Sequence, residues 1–224
     1  MKTIGLVPMK GHSERVPGKN LKLFHGKPLF YYVINSLLQS GEVDEVCVNT
    51  DSKELAGAVL ELFPQVRIID RPEAIQGDFV SMNKIIEHDL EQTDADLYLQ
   101  SHSTNPLLRA ETVAAAVRRF KQLLREGQKD SLFSVTRLQT RLYDKAGEPI
   151  NHSPSELLRT QDLPPVFEEN SNFYIFTKDS FSASDGKRIG LRPEMFEIDK
   201  IEAVDIDEPQ DFKIAEAICK AFVS

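Results

Sequence analysis

Two hydrophobic periods alternate along this chain. Thr3–Pro8 is an apolar run of strand length, and Pro28–Ser40 then carries Phe30, Ile34, Leu37 and Leu38 at the i, i+4, i+7, i+8 spacing of one helix face. Glu45–Asn49 is a β-branched run, and Asp51-Ser-Lys-Glu54 behind it fits a helix N-cap with a capping-box glutamate. Val66–Ile69 predicts another strand, Ser81–Leu90 a helix and Leu97–Gln100 a strand. Ala110–Glu126 predicts a helix with Val113, Ala116, Val117, Phe120 and Leu124 on one stripe, and Ser131–Thr136 is a strand again. This alternation predicts an α/β fold: a mostly parallel, doubly wound, Rossmann-like sheet covered on both faces.

The rhythm breaks over residues 137–165. That stretch is polar and turn-rich (Lys145-Ala-Gly-Glu-Pro149, Asn151-His-Ser-Pro154) and has no helix of core-facing period. It reads as an excursion from the sheet, either a hairpin or an arm to a second subunit. A strand at Asn172–Phe176, a short strand ending at Asp205 and a helix from about Glu208 to Val223 are expected to close the fold. Phe212, Ala215, Cys219 and Phe222 fall on one stripe of that helix. One domain over residues 1–224, with an arm inserted at 137–165, accounts for the pattern.

Composition narrows the classes. At 224 residues with 41% hydrophobic positions, the chain can build a core without disulfide staples. Cys47 and Cys219 are too few and too far apart for a disulfide framework or a cysteine-rich zinc site, and they fit a reducing compartment. Met1–Met9 is too short, and too broken by Pro8, for a secretory apolar region, and no run has bilayer length. A soluble cytoplasmic protein is therefore expected. The net charge of −8 argues against nucleic acid and anionic membranes as partners. Against that background, Lys10, Arg15, Lys19, Lys22 and Lys27 with only Glu14 among them give residues 10–27 a local net +4. A short basic loop in an acidic chain suits a small anion; Lys22 and Lys27 read as solvated.

In an open parallel sheet, ligands collect at the carboxyl ends of the strands. The loop there is Pro8-Met-Lys-Gly-His-Ser-Glu-Arg-Val-Pro-Gly-Lys-Asn20. Its glycines permit close backbone approach, Ser13 offers a hydroxyl, and Lys10, Arg15 and Lys19 offer charge, which is the chemistry a polyphosphate needs. It is neither a Walker A loop nor GxGxxG, and a surface turn has the same composition. Near the other end, Val204-Asp-Ile-Asp207 read as a strand aims both carboxylates to one side while Val204 and Ile206 face the core. Two carboxylates with phosphate and water are a common magnesium donor set. Asp207 taken alone also reads as the N-cap of the following helix. Arg71 could reach a base or phosphate, or be solvated. His102 lies at a strand's carboxyl end, where it could face a ligand or bond its own backbone.

Taken together, these segments resemble the acylneuraminate cytidylyltransferases, the CMP-sialic acid synthetase family, over essentially the whole chain. Val7-Pro-Met-Lys-Gly-His-Ser-Glu-Arg-Val-Pro-Gly-Lys-Asn20 is similar to the family's opening loop, Gly26-Lys-Pro-Leu29 to its G-K-P-L, and Asn49-Thr-Asp51 to its S-T-D. Arg71-Pro72 through Asp78 matches R-P-x-x-[LI]-x-x-D, and Thr104-Asn-Pro-Leu107 matches T-S-P-L. Gln161-Asp-Leu-Pro-Pro165 with Asn170 and Tyr174 corresponds to Q-x-L-P…N-G-x-x-Y, and Val204-Asp-Ile-Asp207 with Asp211-Phe212 to the closing D-I-D-x-x-x-D-[FL]. The chain departs from the pattern at Lys10 (usually arginine), Glu14 (usually lysine), Ser171 (usually glycine) and His102, where a sugar-side glutamine falls unless Gln100 takes that place.

The resemblance implies a nucleotide-diphospho-sugar transferase type of fold with a small dimerisation arm. It implies a cytidylyltransferase that joins CTP to a nine-carbon α-keto sugar acid of sialic, legionaminic or pseudaminic type. Lys10, Lys19, Asp205 and Asp207 would be catalytic, with magnesium on the two aspartates. Gly11, Ser13, Arg15, Asn20, Arg71 and Ser81 would seat the nucleotide, the backbone amides of residues 10–13 holding its triphosphate. His102, Asn170, Tyr174, Arg141 and Arg159 would face the sugar, the two arginines from the arm of a homodimer. A related transferase using another nucleotide or acid, or a catalytically silent homologue, remains the alternative.

Overall fold

The computed structural model describes residues 1–222. β1 (Thr3–Leu6) leads through the basic loop into a small hairpin, β2 (Leu23–Phe24) and β3 (Lys27–Pro28), which runs straight into α1 (Leu29–Gln39). Then come β4 (Glu45–Thr50), α2 (Lys53–Leu62), β5 (Arg67–Asp70), α3 (Met82–Gln92), β6 (Leu97–Ser101) and α4 (Ala110–Arg125). β7 (Ser131–Leu138) enters the irregular stretch and β8 (Val166–Phe176) leaves it; α5 (Lys178–Ala183), β9 (Pro193–Glu197) and α6 (Pro209–Phe222) follow.

The main sheet has the order β5-β4-β1-β6-β8-β7-β9. β5, β4, β1 and β6 run parallel, β8 inserts antiparallel between β6 and β7, and β9 pairs parallel with β7. The alternation of side chains along each strand divides the core in two. Val46, Val48, Leu97 and Leu99 join Phe30, Val33, Val59, Val117 and Phe120 beneath α1, α2 and α4. Their neighbours Cys47 and Tyr98 point the other way, joining Ile86, Leu90, Tyr174, Phe176 and Phe181 beneath α3 and α5. Both faces are thus covered, as the unbroken apolar runs of the parallel strands require. A third cluster, Phe24, Leu29, Leu107, Ile206, Phe212 and Ala215, packs the hairpin against α6.

Several expectations need correction. Ser52, not Asp51, caps α2, accepting from the Leu55 amide at 3.2 Å; Asp51 is committed elsewhere, as described below. Leu124 packs against the core as expected but is only partly buried, while Leu123 beside it is fully buried. Residues 204–207 form no strand. The segment has no regular structure, and its backbone bond to the turn after β6 is the Ile206 amide on the Thr104 carbonyl at 2.9 Å. The expected alternation nonetheless holds, because the completely buried Ile206 anchors the segment, a burial that contributes roughly 2–3 kcal/mol. Asp207 does not cap α6. Asp211 accepts from the amides of Asp207 and Glu208 at 3.0 and 2.7 Å, and Pro209 opens the helix. The predicted helix end at Val223, and the side chain of Phe222, lie outside the described residues.

Candidate active site

A cleft of about 550 Å³ opens beyond the carboxyl ends of β1 and β6. Its walls are the basic loop, the segment after β5, the turn after β6, and residues 204–207. Lys10, Ser13, Arg15, Lys19, Asn20, Arg71, His102, Asp205 and Asp207 all line it, so both ends of the sequence supply one site.

The joint between those ends is direct. Gly18 takes a left-handed φ of +64° and turns the loop into a short helical turn over Lys19–Leu21, a conformation glycine adopts without steric cost. That turn sends Lys19 inward, its side chain only 12% exposed. Its Nζ donates to the Ile206 carbonyl at 2.6 Å and to Asp207 Oδ1 at 3.4 Å. Arg15 Nη2 meets the same Asp207 oxygen at 2.9 Å. Asn20 then fixes the loop to the sheet, donating to the Lys10 carbonyl at 3.1 Å and accepting from the Ser103 hydroxyl at 2.7 Å.

Asp205 opens to the cleft and lacks such a cation. The depth of the surrounding walls pushes its carboxyl above the ordinary range, and the charge of Asp207 adds to this; a bond from Thr104 and the charge of Lys19 pull the other way. A carboxylate crowded by walls and by a second carboxylate is stabilised by a cation placed between them. This donor set therefore fits magnesium, which keeps several waters and needs only one or two protein carboxylates. Among the described residues no cluster of three or more metal-ligating side chains occurs, so an ion here would draw its other oxygens from phosphate and water.

Arg71 is built in deeply. Nε donates to Asn49 Oδ1 at 2.7 Å, and Nη2 to the Asn49 and Met9 carbonyls at 3.0 and 3.2 Å. Asn49 in turn donates to the buried Asp89 at 2.6 Å. Burial pushes the Asp89 carboxyl up to about 7, against the opposing effects of Asn49 and Arg71. Lys10 pairs with Asp78 across the cleft. Gly11 lies outside it, in a neighbouring hollow with Gly18 and Ser52. Its amide donates to Asp51 at 2.7 Å; of the amides of residues 10–13, those of Lys10, His12 and Ser13 have no acceptor among the described residues. Ser81 also stands just outside, at the start of α3, while Val80 and Met82 on either side of it line the cleft. Lys22 and Lys27 lie over the rings of Phe212 and Tyr31, away from the site.

At the far end stand His102 and Ser171. A bulge in the β7–β8 ladder between Phe133 and Val135 frees residues 170–172. Ser171 there takes φ +57°, a left-handed conformation in which glycine would be unstrained. Asn170 turns away from the cleft, accepting from Ser134 at 2.6 Å and donating to Thr136 at 2.9 Å. Tyr174 lies behind the wall, its hydroxyl bonded to Glu169 and, at 3.1 Å, to Ser171. Burial lowers His102 to about 4, with Arg188 and Lys19 acting in the same sense, so its imidazole is neutral near pH 7. Arg188, which sequence reasoning missed, lies against both Tyr174 and His102. Arg141 and Arg159 are in the irregular segment, not in this cleft. Arg141 donates to the Leu158 carbonyl and Arg159 pairs with Asp162 at 2.6 Å.

A cationic loop at strand carboxyl ends, facing a pair of carboxylates in an α/β sheet, defines a nucleotide-handling site. The comparisons narrow that class. The family model described as "Cytidylyltransferase" matches residues 4–222, and the chain belongs to this family. Among curated relatives it is 29% identical over 218 residues to the N-acylneuraminate cytidylyltransferase A of Danio rerio, covering 94% of this chain and 49% of that one. The chain thus spans about half the length of that relative. It is 26% identical over 236 residues to the pseudaminic acid cytidylyltransferase of Campylobacter jejuni, covering 98% and 97% of the two. Among solved structures, a CMP:2-keto-3-deoxy-manno-octonic acid synthetase complexed with CTP superposes with a TM-score of 0.71 at 16% identity, over 99% of both chains. That similarity bears on the fold, and it agrees with the sheet described above.

Proposed function

We propose that this chain transfers CMP from CTP to a nine-carbon α-keto sugar acid of sialic, legionaminic or pseudaminic type, releasing pyrophosphate. The anomeric hydroxyl oxygen forms a bond to the α-phosphorus, the bond to the bridging β-phosphate oxygen breaks, pyrophosphate departs, and the hydroxyl proton passes to solvent. Such a transfer depends on positioning and charge neutralisation more than on covalent chemistry. The carrying observation is the meeting of Arg15 and Lys19 with Asp207 inside one cleft, in a chain matching the cytidylyltransferase family over 4–222. The names of the relatives from Danio rerio and Campylobacter jejuni support the acid class.

In this reading Lys10, Arg15 and Lys19, with the amides of Lys10, His12 and Ser13, hold the triphosphate. Arg71 and Asn20 seat the nucleoside, and His102 faces the sugar. Asp205 and Asp207 would hold magnesium, which when bound neutralises phosphate charge and lowers the pKa of a coordinated hydroxyl. Before the nucleotide arrives, Asp207 is shared between Arg15 and Lys19; the triphosphate then supplies those cations with new anions and frees the carboxylate.

Self-association through the 137–165 segment belongs to the same reading. Leu157 is 91% exposed and Ile150 59%, and burying such side chains in a second copy gives a homodimer its driving force. Cys47 and Cys219 are both free, consistent with a cytoplasmic enzyme. The decisive experiment is pyrophosphate release from CTP with a panel of keto sugar acids and magnesium. It is preceded by a thermal-shift comparison of CTP, GTP, UTP and ATP, since a ligand of the native state raises its stability. CTP stabilisation without release from any acid would replace the transferase with a silent nucleotide-binding homologue.

A further inference from the structure

We propose that Arg188 receives the carboxylate of the acceptor sugar and so sets the enzyme's demand for an acid over a neutral ketose. This rests on the reading of the cleft as a sugar-acid cytidylyltransferase and assigns the group that recognises the acid. Arg188 follows α5, in the loop leading to β9. Its guanidinium lies 3.9 Å from the centroid of the Tyr174 ring. Nη1 donates to Gln100 Oε1 and, at 3.5 Å, to His102 Nε2. His102 lines the cleft, and so does Ser171, which is bonded to the Tyr174 hydroxyl. Arg188 is not itself a lining residue: its guanidinium stands directly behind the wall, against His102 and the Tyr174 ring.

All of these contacts use Nη1 or the face of the group. The edge formed by Nε and Nη2, from which arginine makes paired bonds to a carboxylate, has no partner among the described residues. Neither nitrogen belongs to the sealed, unpartnered polar atoms of the protein. Elsewhere in this chain the same edge meets carboxylates: Arg109 donates to Glu202 through Nε at 2.8 Å and through Nη2, and Arg159 donates to Asp162 at 2.6 and 3.1 Å. Arg188 makes no such ion pair: Glu169 attracts it from a distance while being bonded to the Tyr174 hydroxyl. The donor of the buried Gln100 amide is also without an acceptor. A half-buried cation without an ion-pair partner is costly: burial disfavours its charged form, and Tyr174 and Glu169 offset this only in part; an incoming carboxylate offsets the rest. Neutral His102 accepts from Arg188 without adding a second charge. Arg141 and Arg159, the other arginines considered for this role, are occupied within their own segment.

The test compares wild type, Arg188→Gln and Arg188→Lys on the best acid of the panel and on its carboxamide, with CTP binding followed by calorimetry. Arg188→Gln is expected to raise KM for the acid roughly 10- to 100-fold, leave the CTP Kd unchanged, and abolish the preference for acid over amide. Arg188→Lys keeps the charge without the planar edge and is expected to fall between. An Arg188→Gln protein that binds CTP normally yet keeps the wild-type acid-to-amide ratio overturns the assignment, whatever its rate. Loss of CTP binding in both variants also overturns it, showing Arg188 to be structural. If wild type turns over no acid in the panel, the sugar-acid reading itself falls, an outcome distinct from either result with the variants.

Discussion

The buried acid behind Arg71 offers the most quantitative test. Asp89 is 1% exposed, bonded to Asn49 and held near a carboxyl pKa of about 7 by burial. In the unfolded chain it titrates at about 3.9. Between those values the unfolded chain has lost the proton and the folded one keeps it, so unfolding releases a proton and rising pH favours unfolding. The contribution of this group is complete below about pH 4, declines by about 1.4 kcal/mol per pH unit, and is gone above about pH 7, roughly 4 kcal/mol in all. Asp89→Asn keeps an oxygen to accept from Asn49 and removes the titration. Urea unfolding of both proteins from pH 5 to pH 8 is therefore expected to show the variant gaining about 2–3 kcal/mol on wild type across that range. Other ionisations cancel in the difference. His88, whose Nδ1 is 3.9 Å from Asp89, is controlled by repeating the series in a His88→Gln background. Stability curves that stay parallel over the whole range would refute the buried-acid argument.

Other substitutions examine the cleft. Asp205→Asn should lower turnover by orders of magnitude while the melting temperature holds or rises, because a carboxylate with a raised pKa is lost; near-normal magnesium-dependent activity would remove the metal role. Lys19→Ala should weaken CTP binding by roughly 10- to 100-fold in calorimetry, the worth of one or two charge-assisted bonds, and unchanged affinity would take Lys19 out of the phosphate site. In Gly11→Ala the new Cβ would lie 2.6 Å from Ser52 Cβ, displacing the loop; CTP affinity should fall and be restored in part by Ser52→Gly, and a second substitution without effect would argue against the clash. Deleting residues 141–159 should give monomers by light scattering, and a persistent dimer would place the interface elsewhere.

The sheet was legible in the sequence because its parallel strands, buried on both faces, are continuous apolar runs between amphipathic helices. β9 was not, since Pro-Glu-Met-Phe-Glu on a sheet edge buries none of its residues fully and carries charges that read as loop. The 204–207 segment was assigned to a strand from alternation alone. Alternation records which side chains are buried, not whether a ladder forms, and here Ile206 makes a single backbone bond to Thr104. The loop cations and paired aspartates were visible as local concentrations of one charge. Arg188 was not, because its partners Gln100, His102 and Tyr174 come from distant parts of the chain and the Asp185-Gly-Lys-Arg188 stretch itself looks like an ordinary solvated turn. Asp89 failed for a related reason: a helical acid shows its burial only once Asn49 and Arg71 are brought over it.

The Lys19 tie to the Ile206 carbonyl joins residues 187 positions apart, and this orders events during synthesis. A nascent chain halted before Val204 already contains the residues of β1 to β9, yet it has neither Asp205 nor Asp207 nor the carbonyl that steadies Lys19. On the proposed reading, the site therefore cannot be assembled until residues 204–207 have been made, and a chain stopped short of them would lack both carboxylates of the cleft.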